Sequence, residues 1–117
     1  MNDFKNKDFE LRKNESNIIF KKYPKSIPII IYSKYDDTPT LKKHKYIVPN
    51  TLLCAHFFDI IRKQLNMSKE KALFFFDDNN RLLSATFVLS DIYSKNKNLD
   101  GFLYVYYSFE NVFGSIL

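Results

Sequence analysis

Six consecutive positions, Ile27-Pro28-Ile29-Ile30-Ile31-Tyr32, carry no charge and show no polar–apolar alternation. A β-strand sends successive side chains to opposite faces, so a strand over 27–32 has to be covered twice. One face must pack on a core. The other needs a second cover, and the segment that precedes it is the available candidate. Pro28 has no N–H to give to a ladder, so its position cannot be fully paired on both sides. Residues 1–25 are polar with sparse apolar positions, among them Phe9, Ile18 and Ile19. Stretches 8–13 and 15–22 read as two short helices, too short to be stable alone. Pro24 ends the second, because the residue before a proline avoids the helical region.

The remaining elements follow in order. A polar connection over 33–44, with Pro39, leads to Lys45-Tyr46-Ile47-Val48-Pro49, a short strand stopped by its proline. The two strands make a hairpin with a long loop. Asn50 or Thr51 caps a helix over 51–65, in which Leu53, Phe57, Ile60, Ile61 and Leu65 form one buried stripe. A surface turn at 68–71 precedes a strand over 72–76, apolar on both faces. Asp77-Asp78-Asn79-Asn80 is a tight turn of residues that tolerate left-handed backbone. A short helix over 87–93, a turn at 95–98 and an apolar strand over 102–107 complete the chain. Without the leading helices the order is ββαβαβ, that of an α+β ubiquitin-like β-grasp, a four-stranded sheet curled over one long helix. The expected organisation is a helical extension over 1–25, the β-grasp domain over 26–108 and a tail over 109–117.

Length fits one domain with a real core. The net charge of +5 favours anionic partners, but the lysines are spread along the chain. The lone cysteine, Cys54, has no internal disulfide partner and lies in an apolar helical pattern, which points to core packing in a reducing compartment. The N-terminus lacks the apolar core of a signal peptide, and no stretch reaches membrane-span length; a protein soluble as made is expected. His44 falls in a loop and His56 on a helix. Neither pairs with Cys54 as base with nucleophile, and no metal-ligand spacing occurs, so neither catalysis nor a cofactor is expected. Asp77 and Asp78 lack the acidic repeat of a calcium loop.

Only two glycines occur, and one, Gly114, lies three residues from the end. Lacking a Cβ, it can enter a narrow enzyme channel as a carboxyl handle; an ordinary frayed tail is the simpler alternative. Other stretches bear on the choice. Tyr23-Pro24-Lys25-Ser26-Ile27-Pro28, Lys45-Tyr46-Ile47-Val48-Pro49, Ile61-Arg62-Lys63, Ala72-Leu73-Phe74-Phe75-Phe76, Asp100-Gly101-Phe102-Leu103-Tyr104-Val105 and Glu110-Asn111-Val112-Phe113-Gly114 together resemble the ubiquitin-like modifiers of autophagy, the GABARAP and microtubule-associated light-chain-three family. The spacing holds from Phe9 to Gly114, with about one residue lost in the 33–44 connection and about one gained near 82–92.

The resemblance implies that a processing cysteine protease cuts after Gly114, removing Ser115-Ile116-Leu117, with Phe113 as its aromatic anchor. Activating and conjugating enzymes would then pass Gly114 through a thioester to phosphatidylethanolamine, giving a monomer found in the cytoplasm and, once lipidated, on autophagosomal membranes or related vesicles. It also implies a docking surface for cargo receptors and adaptors that carry aromatic-x-x-aliphatic motifs, added as a strand to the edge of the second strand. The aromatic pocket would be lined by Glu15, Ile19, Pro28, Ile30, Lys45, Ile47 and Phe102. The aliphatic pocket would be lined by Tyr46, Val48, Pro49, Leu52, Phe57 and Ile60, with Arg62 at its rim. Lys43 and Lys45 would steer acidic residues that precede the motif. Leu73 and Phe75 either form a further outward surface or are covered by the neighbouring short helix.

The chain departs from the family pattern at Ser26, where arginine is usual and a charge tying the N-terminal helices to the core is missing. Leu82-Leu83 replace prolines, Ser94-Lys95-Asn96 replaces an acidic stretch, and Phe20 replaces a small residue. Two other classes remain. One is a β-grasp peptide adaptor that is never conjugated, which has no need of Gly114. The other is a basic nucleic-acid binder, disfavoured because strands and pockets account for the aromatics; no nucleic-acid partner is expected.

Overall fold

The computed structural model describes residues 3–35, 40–68 and 70–109. A 3-10 turn at Phe4–Asn6 leads into helix α1 (Phe9–Lys22), strands β1 (Ser26–Ser33) and β2 (Lys45–Pro49), helix α2 (Cys54–Gln64), strand β3 (Phe74–Asp77), helix α3 (Leu89–Asn96) and strand β4 (Leu103–Ser108). The strands form one sheet in the order β2-β1-β4-β3. β1 and β4 run parallel at its centre, and the two outer pairs are antiparallel. This is the expected ubiquitin-like α+β fold.

β1 is covered on both faces. Ile27, Ile29 and Ile31 join the main core with Phe57 and Ile61 of α2. Ile30 points the other way, into a second cluster with Phe4, Ile19, Phe102 and Tyr104. Pro28 fits this central strand through its register. The bonds from Asn50 N to Lys25 O and from Ile31 N to His44 O put the β1–β2 ladder on odd-numbered residues of β1. Pro28 pairs with Ile47 between those bonds, its nitrogen turned toward β4, whose pairing starts one residue later at Ile29.

Four elements differ from the sequence expectation by more than a residue at an end. The N-terminal pair is a single helix, α1. Asn14, between the two expected pieces, costs only a fraction of a kcal/mol of propensity, and burial of Ser16 and Ile19 against the sheet holds the turns together. α2 starts at Cys54, and no side chain caps it. Its first amides are taken by a distant loop: Cys54 N donates to Phe87 O at 2.8 Å and Ala55 N to Ala85 O at 2.9 Å. In return Leu89 N at the start of α3 donates to Leu52 O at 2.9 Å, and Ser90 N to Asn50 O at 3.2 Å. Each helix thus has its orphan donors satisfied by the segment leading into the other, which also moves the start of α3 to Leu89. β3 begins at Phe74. Phe75 faces the main core, buried and stacked on Phe58 with ring centroids 4.0 Å apart, and Leu73 packs against the same core. The proposed outward surface at Leu73 and Phe75 is therefore absent.

α1 is held by a buried charge. Asp100 has no exposed surface. Its carboxylate accepts from Arg12 Nη1 at 2.6 Å, from Phe102 N at 2.8 Å and from the Tyr104 hydroxyl. Burial, reinforced by the bond to Asp100, pushes the Tyr104 hydroxyl pKa well above its ordinary value. The Ser16 hydroxyl is directed at the Asp100 carbonyl, and Gly101 lies beneath it with φ +93°, where a Cβ would come within 2.4 Å of Ser16 Oγ. Only glycine meets both demands. The tie that Ser26 cannot supply thus comes from Arg12. Burial also holds the Cys54 thiol up at a pKa of about 11, and its place in the core is the one expected for it.

Arg12→Met keeps the apolar stem of the side chain but strips Asp100 of its cation. Breaking a buried pair from one side should destabilise the fold by about 3 kcal/mol or more, read from urea denaturation. A loss below about 0.5 kcal/mol, the range of ordinary surface substitutions, would contradict the clamp.

Candidate functional site

The exposed edge of β2 is the site the fold leaves open. β2 pairs with β1 on one side only and stands at the end of the sheet among the described residues. The register gives the inward bonds to Tyr46 and Val48, so the main-chain groups of Lys45 and Ile47 point away from the sheet. Pro49 follows and has no donor. The side chains alternate to match. Tyr46 and Val48 turn toward α2 and belong to the main core, with Val48 only 6% exposed. Lys45, half-buried, and Ile47, 41% exposed, lie on the α1 side.

That alternation has a direct consequence for a ligand. A peptide added to this edge as a strand would place residues three apart on opposite faces. An aromatic-x-x-aliphatic segment would lodge one anchor on the α1 side and the other on the α2 side. The sheet edge offers apolar surface on both.

On the α1 side, Ile19, Ile30 and Phe102 share one buried cluster. Pro28 is buried opposite Ile47. Glu15 of α1 forms an ion pair with Lys45 of β2. The seven expected aromatic-pocket residues are therefore neighbours. Beside them runs a cleft of about 480 Å³ lined by Phe4, Ile30, Tyr32, Lys43, His44, Lys45 and Ile47. Its cations are Lys43 and Lys45, matching an acidic ligand. His44 stacks on Tyr32 with centroids 4.0 Å apart, and its Nδ1 lies 2.8 Å from Ile31 O.

On the α2 side, Tyr46 and Val48 form a floor with Phe57, which has no exposed surface and meets Tyr46 edge-on at 5.9 Å. Leu52 is half-buried, and Pro49 and Ile60 are exposed above them, with Leu53 exposed nearby. The α2 stripe is rotated from the expected one: Cys54, Phe57 and Ile61 are its buried residues, while Leu53 and Ile60 stand at the surface. Arg62 is engaged elsewhere, donating to Lys71 O at 2.7 Å and to Ser68 O at 3.3 Å. It fastens the turn after α2. His56 is exposed.

Sequence patterns alone do not point to Phe4, Tyr32 and His44 as part of this site. Phe4 is a lone aromatic in a charged stretch, and only its tertiary contacts give it a role. Gly114 and Phe113 lie outside the described residues. Among the described residues no cluster of His, Cys, Asp and Glu could hold a metal, and no helix is long and apolar enough to cross a membrane.

The family model of the ubiquitin-like autophagy protein Atg8 matches residues 11–114. This chain belongs to the Atg8 family. Autophagy-related protein 8 of Mycosarcoma maydis is 48% identical over 117 residues, covering 97% of each chain. Autophagy-related protein 8e of Arabidopsis thaliana is 44% identical over 110 residues, 92% of this chain and 88% of that one. The crystal structure of Trypanosoma brucei ATG8 superposes with a TM-score of 0.82 at 34% identity, over 87% of this chain and 88% of that chain. The Atg8 match makes the chain a ubiquitin-like autophagy protein, and nothing in it points to catalysis.

The alternation along β2 separates neighbouring substitutions. Val48→Glu would bury an unpaired carboxylate and should destabilise the fold by about 3 kcal/mol or more. Ile47→Glu should change stability by no more than about 0.5 kcal/mol. Denaturant midpoints of the two variants check this; equal losses would contradict the assigned faces.

Proposed function

We propose that this Atg8-family chain is a lipid-conjugated adaptor of the GABARAP and light-chain-three kind. A cysteine protease cuts after Gly114, with Phe113 as anchor. Activating and conjugating enzymes join Gly114 to phosphatidylethanolamine on the autophagosomal membrane, and the anchored protein recruits partners bearing aromatic-x-x-aliphatic motifs. The chain is the substrate of the conjugation chemistry and supplies none of it. Before conjugation it is cytoplasmic and monomeric. The lipid brings two acyl chains, as stable anchoring requires.

The observation that carries this reading is the β2 edge, whose two faces each present apolar surface at the spacing the motif demands. Glu15, Ile19, Pro28, Ile30, Lys45, Ile47 and Phe102 take the aromatic anchor. Pro49, Leu52 and Ile60 take the aliphatic one over the floor of Tyr46, Val48 and Phe57. Main-chain bonds to Lys45 and Ile47 supply register. The lysines at the rim speed encounter and add only about 0–1 kcal/mol each.

Ile47→Glu and Ile60→Glu remove one anchor surface each from exposed positions that folding does not need. Each should weaken a Trp-x-x-Leu peptide at least about tenfold in calorimetry, a loss of about 1.4 kcal/mol; unchanged affinity in both would refute the docking site. Gly114→Ala should abolish the lipid adduct seen by intact mass in membrane fractions while leaving the thermal midpoint unchanged. An unprocessed full-length mass in every fraction of cells carrying the natural sequence would instead favour a peptide adaptor that is never conjugated.

A further inference from the structure

We propose that the chain carries its own ligand for the aromatic pocket: the 3-10 turn at Phe4–Asn6 is a plug that an incoming peptide must displace. The inference rests on the docking function proposed above and adds its regulation.

The Phe4 ring is 8% exposed. It is buried with Ile19, Ile30 and Phe102, three of the residues assigned to the aromatic anchor. It meets Phe102 edge-on with centroids 4.9 Å apart. The ammonium groups of Lys45 and Lys7 lie 5.6 Å and 5.0 Å from its centroid. Those are contacts an aromatic anchor from a partner would make, with the same apolar floor and the same flanking lysine. Two aromatic rings cannot occupy that floor together, because protein interiors are close-packed.

The plug is also held by polar contacts of its flanking residues. Lys5 forms an ion pair with Asp78, in the turn after β3, and its ammonium lies 4.7 Å from the Tyr104 ring centroid. Lys7 approaches Glu15 at 3.9 Å. None of these contacts is to the edge groups of β2, so the latch holds the ring in place while the strand edge stays open. A peptide can therefore pair with β2 first and expel Phe4 second. The seat is also easily vacated, since the segment is one short turn that pairs with no strand and buries one large apolar ring.

A site occupied by its own chain binds with an affinity reduced by the fraction of time it stands open; a plug in place about nine-tenths of the time weakens a ligand about tenfold. The test is calorimetry with the full chain and a synthetic acidic peptide carrying Trp-x-x-Leu. Phe4→Ala should bind at least about fivefold tighter than the natural sequence. Asp78→Asn removes the charge that pairs with Lys5, replaces no pocket residue and should tighten binding by about twofold. In the natural chain, nuclear Overhauser contacts from the Phe4 ring to Phe102 and Ile30 should be present without peptide and lost at saturation; this measurement decides even if Phe4→Ala folds poorly. Equal or weaker binding by Phe4→Ala, or Phe4 contacts that persist in the saturated complex, overturns the plug and leaves the docking site standing. Absence of binding to both the natural chain and Phe4→Ala overturns the docking site itself, and the plug with it.

Discussion

Covering β1 on both faces is the requirement on which the other parts depend. α2 and the inner faces of the other strands cover one side with an ordinary apolar core. The other side is closed by a thinner layer, the 3-10 turn and α1, and α1 contributes Ile19 as its one buried apolar residue. Apolar contact alone is a weak hold for such a helix. The buried carboxylate of Asp100 therefore matters out of proportion to its size. It binds Arg12, the Tyr104 hydroxyl and the Phe102 amide at once, so docking α1 and closing the turn into β4 are one event. A buried ion pair contributes little net stability over an apolar equivalent. Its effect here is to fix where α1 lies, and with it where Glu15 and Ile19 stand beside β2.

From that position the open strand edge and the apolar surface on its two faces follow. Pro28 is tolerated in a central strand because its missing donor faces the gap before β4 starts to pair. The hairpin places β2 at the sheet edge, with Lys45 and Ile47 offering main-chain groups outward. Opposite faces of one short strand present apolar surface, which fits a proposed ligand whose anchors are three residues apart. The same geometry lets the N-terminal turn reach the aromatic side without covering the edge.

Much of this is legible in the order of the amino acids. The doubly apolar β1, the bounds of β2 between Lys45 and Pro49, and the succession of elements follow from local patterns and from proline chemistry. What distant segments supply is not legible there. The caps of α2 and α3 are carbonyls from each other's leading segments, so Asn50 and Thr51 look like the cap. The facing of β3 depends on Phe58 stacking against Phe75, and no alternation in Leu73-Phe74-Phe75-Phe76 chooses the inner side. Leu41, a single apolar residue in a polar connection, proves buried, its amide donating to the Tyr107 hydroxyl at 3.2 Å. The family resemblance implies a pocket-rim role for Arg62, yet nearby carbonyls claim it. Phe4 has no periodic partner to announce it. The loss of arginine at Ser26 points to a loosely docked helix, because the compensating pair joins residues far apart in sequence.

The central claim is that a partner peptide pairs with β2 as a fifth strand. Amide hydrogen exchange, resolved by residue and measured with and without a Trp-x-x-Leu peptide, tests it most directly. The amides of Lys45 and Ile47 face outward and should exchange quickly in the free protein, then slow by at least about tenfold in the complex, as paired strand amides do. Tyr46 and Val48, already bonded to β1, should be protected in both. Saturating peptide that leaves Lys45 and Ile47 unprotected would contradict strand addition at this edge.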